Sequence, residues 1–110
     1  MIVLEVLSAL GAIPDPPIRV LLGAEGGTLG RATGNALVLP DPGRSVSRVH
    51  ARIQIRKTGP RLLCLGSNAV TVDGVALEQG EETPLVDGAR LQIGNFLIGA
   101  SLSASARALA

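Results

Sequence analysis

The sequence predicts an all-β domain, a sandwich of many short strands, and three observations carry that expectation. The 110 residues include 14 glycines and 7 prolines spread over the whole length, which cut the chain into short apolar runs. The clearest of these, His50-Ala51-Arg52-Ile53-Gln54-Ile55-Arg56, alternates, with Ala51, Ile53 and Ile55 on one face and polar side chains on the other. No window shows the three-and-four spacing of an amphipathic helix, and no internal repeat occurs at solenoid periods.

Taken in order, residues 2–7 and 18–22 are runs of Ile, Val and Leu and read as the first two strands. Between them Pro14-Asp15-Pro16-Pro17 cannot enter a helix or a central ladder, so it is a loop. Further strands are expected at residues 28–31, 36–39, 49–56, 61–65, 70–72, 90–93 and 96–102. Val72-Asp73-Gly74-Val75 places an Asp-Gly pair between apolar residues, a strong hairpin signal, and Leu85-Val86-Asp87-Gly88-Ala89 repeats it. One domain is expected over residues 1–102. Residues 103–110 are a Ser/Ala-rich tail, or the start of a linker to a region outside this chain.

Composition excludes several functions. With 46% hydrophobic and 17% charged residues the chain folds rather than staying disordered. Aromatic residues make up 1%, Phe96 alone, so the stacking platforms of single-strand nucleic-acid binders are missing. Net charge is +1, and no nucleic-acid partner is expected. One cysteine and one histidine allow neither an internal disulfide nor a zinc site, so neither metal nor cofactor is expected, and a reducing compartment is. The longest uncharged stretch, residues 91–106, is shorter than a bilayer span and diluted by Gln92, Gly94, Asn95 and serines, so membrane insertion is not expected. The opening MIVLEVLSAL lacks a basic start and carries Glu5, which suits the first strand of a cytoplasmic protein better than a secretory signal.

Charge is polarised along the chain. Arg31, Arg44, Arg48, Arg52, Arg56, Lys57 and Arg61 face one acid, Asp41, over that span, whereas Glu78, Glu81, Glu82 and Asp87 follow. Arg52, Arg56, Lys57 and Arg61 suit a solvated strand face. Gly26-Gly27-Thr28-Leu29-Gly30-Arg31 is glycine-rich, but it lacks the Lys-Ser/Thr of a phosphate loop and no helix pattern follows it. Cys64 lies in an apolar run, where a thiol is an inert small hydrophobe, and no acid is placed beside His50. The expectation is a protein that is not an enzyme.

The remaining constellation is Gly30-Arg31, then Ser47-Arg48-Val49-His50, then Gly66-Ser67-Asn68 ahead of Val72-Asp73-Gly74. In order and spacing it resembles the forkhead-associated (FHA) domain, over about residues 2–102. That resemblance implies a β-sandwich of eleven strands whose loops at one end bind phosphothreonine peptides. It implies that Arg31, Ser47, the backbone N–H of Arg48, and Ser67 take the phosphate, that Asn68 pairs with the ligand main chain, and that Gly30 and His50 support the site.

The chemistry suits these residue types. A phosphothreonine carries about two negative charges and three acceptor oxygens. Arg31 offers a fork of N–H donors, Ser47 a short hydroxyl, and Asn68 an amide able to donate and accept. Taken singly, Arg31 could pair with Asp41 or Glu25, Ser47 could make a local turn bond, and Asn68 could occupy left-handed backbone.

Two positions depart from the family pattern. Asn68 is followed by Ala69-Val70 in place of glycine and threonine, and a positive φ after Asn68 would cost Ala69 about 1 kcal/mol more than glycine. Ser47 is followed by Arg48 where some members carry asparagine. Leu39-Pro40-Asp41-Pro42-Gly43-Arg44-Ser45-Val46-Ser47-Arg48, with Ser67-Asn68, is most similar to bacterial FHA proteins associated with type VI secretion. The expected partner is a phosphothreonine-containing protein acted on by an upstream Ser/Thr kinase. The alternative is a structural docking domain of the same fold that ignores phosphate.

Overall fold

A computed structural model describes residues 1–102 of the chain, so the expected tail at 103–110 lies outside the described residues. Among the described residues eleven strands form two sheets and no helix occurs: β1 (Ile2–Ala9), β2 (Ile18–Leu22), β3 (Gly27–Gly30), β4 (Leu37–Val38), β5 (Ala51–Arg56), β6 (Gly59–Cys64), β7 (Val70–Val72), β8 (Val75–Leu77), β9 (Glu82–Pro84), β10 (Arg90–Ile93) and β11 (Phe96–Leu102). One sheet runs β2-β1-β11-β10-β7-β8 and the other β4-β3-β5-β6-β9. All pairings are antiparallel except β3 with β4.

Alternation along the strands decides what is buried. Ile2, Leu4 and Val6 of β1 face inward beside Ile98 and Ala100 of β11, and Ala51 and Ile53 of β5 face them from the second sheet beside Leu62 and Cys64. Ile55, the third apolar residue of that alternation, is 39% exposed, because β5 has reached the sheet margin by then. The core is aliphatic save for Phe96 and Cys64.

Four strands match the sequence reading in both bounds, and most of the others differ by one or two residues. Two strands were not anticipated in their own right. β8 is the return arm of the Asp73-Gly74 hairpin, with Val72 opposite Val75. β9 reads Glu-Thr-Pro, which carries no apolar alternation. It is held by pairing with β6 and by an Arg61 Nε to Glu82 Oε1 contact of 2.6 Å. The hairpin expected at Asp87-Gly88 is not one. β9 and β10 belong to different sheets, so residues 85–89 cross between layers, with a turn closed by Ala89 N–H on the Val86 carbonyl.

The sandwich gathers several connections at one end. β3 delivers the chain into residues 31–36, β4 into residues 39–50, β6 into residues 65–69, and the β10–β11 turn packs beside the second of these. Gly30 is where the first two meet. A Cβ there would lie 2.2 Å from the Arg48 carbonyl oxygen, so only glycine lets the two backbones approach.

Candidate functional site

The first two connections are zipped together by backbone. Arg31 N–H donates to the Ser47 carbonyl at 3.0 Å, Ala32 N–H to the Arg48 carbonyl at 3.1 Å, and Leu39 N–H to the Gly30 carbonyl at 2.8 Å. Arg31 also donates through Nε to the Val46 carbonyl at 3.0 Å. That bond fixes the stem of the guanidinium, while its two terminal nitrogens have neither hydrogen bond nor ion pair among the described residues. The pairing with Asp41 or Glu25 allowed by the sequence is therefore not made.

Asp41 has another task. Its carboxylate accepts the Ser45 hydroxyl at 2.7 Å, the Val46 N–H at 2.9 Å and the Gly43 N–H at 3.2 Å. It thereby ties down the loop that carries Ser47. The Ser45 hydroxyl bond holds its acidity on the strong side of the usual carboxylate range, opposed by burial and helped by the Val46 N–H. The spacing Asp41-Pro42-Gly43-Arg44-Ser45 is the sequence signal for such an Asx-type turn.

His50 is fully buried and joins two connections. Its Nδ1 accepts the Ser47 N–H at 2.8 Å, which requires the proton on Nε2, and Nε2 then donates to the Asn68 carbonyl at 2.8 Å. With both ring nitrogens engaged, His50 has none free to act as a base toward Cys64. The Cys64 thiol is buried and points its own weak donor at the Asn68 and Gly66 carbonyls. Gly66 lies flat against the His50 ring, where a Cβ would come within 2.7 Å.

Burial pushes the His50 pKa down, with the Asn68 carbonyl bond acting in the opposite direction. A histidine whose pKa is lower folded than unfolded binds its proton more readily in the unfolded chain. Stability is then complete above the unfolded value of about 6.5 and falls as pH drops below it. His50 is the only histidine. Urea midpoints measured at pH 7, 6 and 5 are therefore expected to fall with pH, and the slope should vanish in a histidine-free variant that still folds.

The loop of residues 65–69 closes the site. Ser67 N–H donates to Ser47 Oγ at 3.2 Å, leaving the Ser47 hydroxyl proton free to donate elsewhere. Asn68 Nδ2 donates to the Ser45 carbonyl at 2.9 Å, which leaves its second N–H and its Oδ1 available. Asn68 does not occupy left-handed backbone, and neither does Ala69, so the Ala69-Val70 departure carries no backbone cost. Val70 simply begins β7 as a buried residue. The left-handed residue here is Arg44, at φ 57°. Arg44 and Arg48 are exposed and form no ion pair among the described residues.

Arg31, Ser47, Arg48, Ser67 and Asn68 are thus brought to one end of the sandwich, with Gly30 and His50 beneath them. Asn35 was missed by the sequence reading. It is buried and donates from Nδ2 to both the Ala32 and Arg48 carbonyls at 2.7 Å, holding the backbone on which Arg48 sits. An asparagine after Gly34 signals a loop, and nothing in that signal foretells burial. An open cleft of about 840 Å³ lies elsewhere, lined chiefly by residues 24–28, 34–36 and 52–56. Of the assembled donors, Arg31 and Ser47 are half-buried and Arg48, Ser67 and Asn68 exposed, so an anion can reach them from solvent.

Among the described residues no group of three His, Cys, Asp or Glu side chains could hold a metal ion, and no helix is long and apolar enough to cross a membrane. The family model described as FHA domain matches residues 27–94, more than half of the chain. A search of the curated proteins found no significant match. Among solved structures, the FHA domain of the Chlamydia trachomatis protein CT664 is 25% identical, with a TM-score of 0.70 over 91% of this chain and 95% of that one. The FhaA FHA domain, solved in complex with the intracellular domain of Rv3910, is 24% identical, with a TM-score of 0.73 over 91% and 99%. Mycobacterium tuberculosis EmbR, solved with a low-affinity phosphopeptide, is 24% identical, with a TM-score of 0.71 over 91% of this chain and 24% of EmbR. With the glycine-arginine, serine-x-x-histidine and asparagine positions gathered at one end of an eleven-stranded sandwich, and the family model spanning them, the chain belongs to the FHA domains, which are phosphopeptide-binding modules.

Proposed function

We propose that this domain binds a phosphothreonine peptide without catalysis, recruiting a phosphorylated protein partner. The observation that carries the reading is the Arg31 guanidinium. It is held through Nε by the Val46 carbonyl, its terminal nitrogens are unpaired among the described residues, and it is zipped by backbone to Ser47. Arg31 then takes a phosphate oxygen, the Ser47 hydroxyl and the Arg48 N–H take others, and Ser67 adds a hydroxyl. Each charge-assisted bond contributes roughly 1.5 to 3 kcal/mol. Asn68 reads the ligand main chain with its remaining N–H and its Oδ1. Gly30 and His50 hold the loops in register.

Phosphothreonine is distinguished from phosphoserine by one methyl, about 0.8 kcal/mol by transfer or roughly fourfold in affinity, with tighter packing adding to it. Titration with matched phosphothreonine, phosphoserine and unphosphorylated peptides tests the reading. Saturable binding of the first, weaker binding of the second and none of the third is expected, and equal binding of all three would sink it. Ser47→Ala is expected to weaken the phosphothreonine peptide by about one order of magnitude or more, since it removes a phosphate donor together with the Ser67 N–H acceptor.

The setting we infer is a cytoplasmic, bacterial, kinase-regulated assembly such as type VI secretion, with an upstream Ser/Thr kinase. Its support is the likeness of residues 39–48 to that subfamily. Affinity capture of partners from cells with and without phosphatase treatment checks it.

A further inference from the structure

We propose that the β1–β2 turn forms an apolar step beside the phosphate-binding loops, and that it takes a large aliphatic or aromatic side chain of the phosphorylated partner. This rests on the phosphopeptide reading above and names a second determinant of that same site.

The turn is built against its own chemistry. Ala9 and Ala12 exchange backbone hydrogen bonds at 2.8 and 3.1 Å, closing a two-residue hairpin in which Leu10 and Gly11 have φ 53° and 84°. The Asp73-Gly74 hairpin adopts the same pair of positive angles, 49° and 86°, with residues suited to them. A leucine in the first position is strained, and it is only half-covered in return, with 53% of its surface exposed. Ile13, just beyond, is 83% exposed and is followed by Pro14. No charge occurs between Ser8 and Pro14. Strain at a side chain that stays half exposed points to a use at the surface.

The step is continuous with the phosphate site. Leu10 N–H donates to the Asn95 carbonyl at 2.9 Å. The neighbouring Gly94 lies against the Ser45 hydroxyl and the Val46 side chain, where a Cβ would meet each at 2.9 Å. The Ser45 carbonyl in turn holds Asn68, and the Val46 carbonyl holds Arg31. A hollow lined by Ser8, Leu10, Gly11, Gln92 and Asn95 lies at this margin. A peptide anchored at Arg31 and Asn68 can therefore extend over Gly94 and Asn95 onto Leu10 and Ile13. The phosphate loops supply charge, and the turn adds Leu10 and Ile13 to the exposed Val49 of those loops as apolar contact.

The test uses the whole chain and a set of phosphothreonine peptides in which one leucine is walked through a Ser/Gly background. The double variant Leu10→Asn with Ile13→Ser is compared with wild type, asparagine being the residue that this turn accepts most readily. Wild type is expected to bind tighter by roughly three- to tenfold when the leucine reaches one particular offset. The variant should bind the leucine-free phosphopeptide as wild type does and lose the gain. A flat leucine scan, or a gain of equal size in the variant, overturns the step while leaving the phosphopeptide reading intact. Failure of every phosphopeptide to bind overturns both. Binding of wild type but not of the variant to phosphatidylcholine vesicles, with a flat scan, would assign the patch to a bilayer and overturn the peptide assignment.

Discussion

Arg31→Ala is expected to lower affinity for a phosphothreonine peptide by about 10- to 100-fold, that is about 1.4 to 2.7 kcal/mol, measured by fluorescence anisotropy or calorimetry. The loss would come from removing a guanidinium whose terminal nitrogens have no partner among the described residues and are left for the proposed ligand. Stability should change little, by about 1 kcal/mol or less, because Arg31 is only half-buried and the backbone bonds from Arg31 and Ala32 to Ser47 and Arg48 survive the substitution. Arg31→Lys separates charge from shape. It keeps a cation but not the fork, and its single ammonium cannot both hold the Val46 carbonyl and meet a phosphate oxygen in the same geometry. Its affinity is expected between alanine and wild type, with a steeper dependence on salt than wild type. An unchanged affinity for Arg31→Ala would remove the central contact from the proposal.

How far the fold was legible depended on which physical signal each element carries. β2, β7, β10 and β11 are bounded by turn residues on both sides and are apolar or alternating, so both ends could be read. β9 could not, since Glu82-Thr83-Pro84 is an edge strand whose reason for being extended is the partner strand β6 and the Arg61–Glu82 pair, neither of which leaves a local pattern. Asp87-Gly88 carries the hairpin signal and lacks the hairpin, because a dipeptide favours a turn without specifying which sheet the next strand joins.

The site shows the same division. Arg31, Ser47 and Asn68 stand out by spacing and end up together. Asp41 and Asn35, which shape the loops those residues stand on, work through the backbone N–H groups of Val46 and Gly43 and the backbone carbonyls of Ala32 and Arg48; the Asp41-Pro42-Gly43 spacing hints at the first pair, and nothing local hints at the second. Ala69 remains a departure in residue type, but the cost expected of it presupposed a positive φ, and the backbone there does not adopt one.

His50→Ala is expected to cost about 3 to 5 kcal/mol of folding stability in urea denaturation, against a total of about 5 to 15 kcal/mol for a domain of ordinary stability. Three losses combine. The ring is fully buried and Gly66 packs flat on it, so a void opens between the loops. The Ser47 N–H loses its acceptor, and the Asn68 carbonyl loses its imidazole donor and retains only the weak Cys64 thiol. His50→Gln restores part of the loss, because an amide can accept from one group and donate to the other, and its stability should fall between alanine and wild type. The two variants also separate support from ligand contact. If His50 acts by holding Ser47 and Asn68 in place, the folded fraction of His50→Gln should bind phosphopeptide more weakly than wild type at pH 7, with no change in the preference for phosphothreonine over phosphoserine. A loss below about 1 kcal/mol for His50→Ala would mean that the two loops hold their positions without the bridge. The fixed geometry of the site would then rest on the links the substitution leaves in place between the connections: Ser67 N–H to Ser47 Oγ, Asn68 Nδ2 to the Ser45 carbonyl, the Leu65 and Gly66 N–H bonds to the residue 50 carbonyl, the Asn35 bonds, and the backbone bonds between residues 31–32 and 47–48.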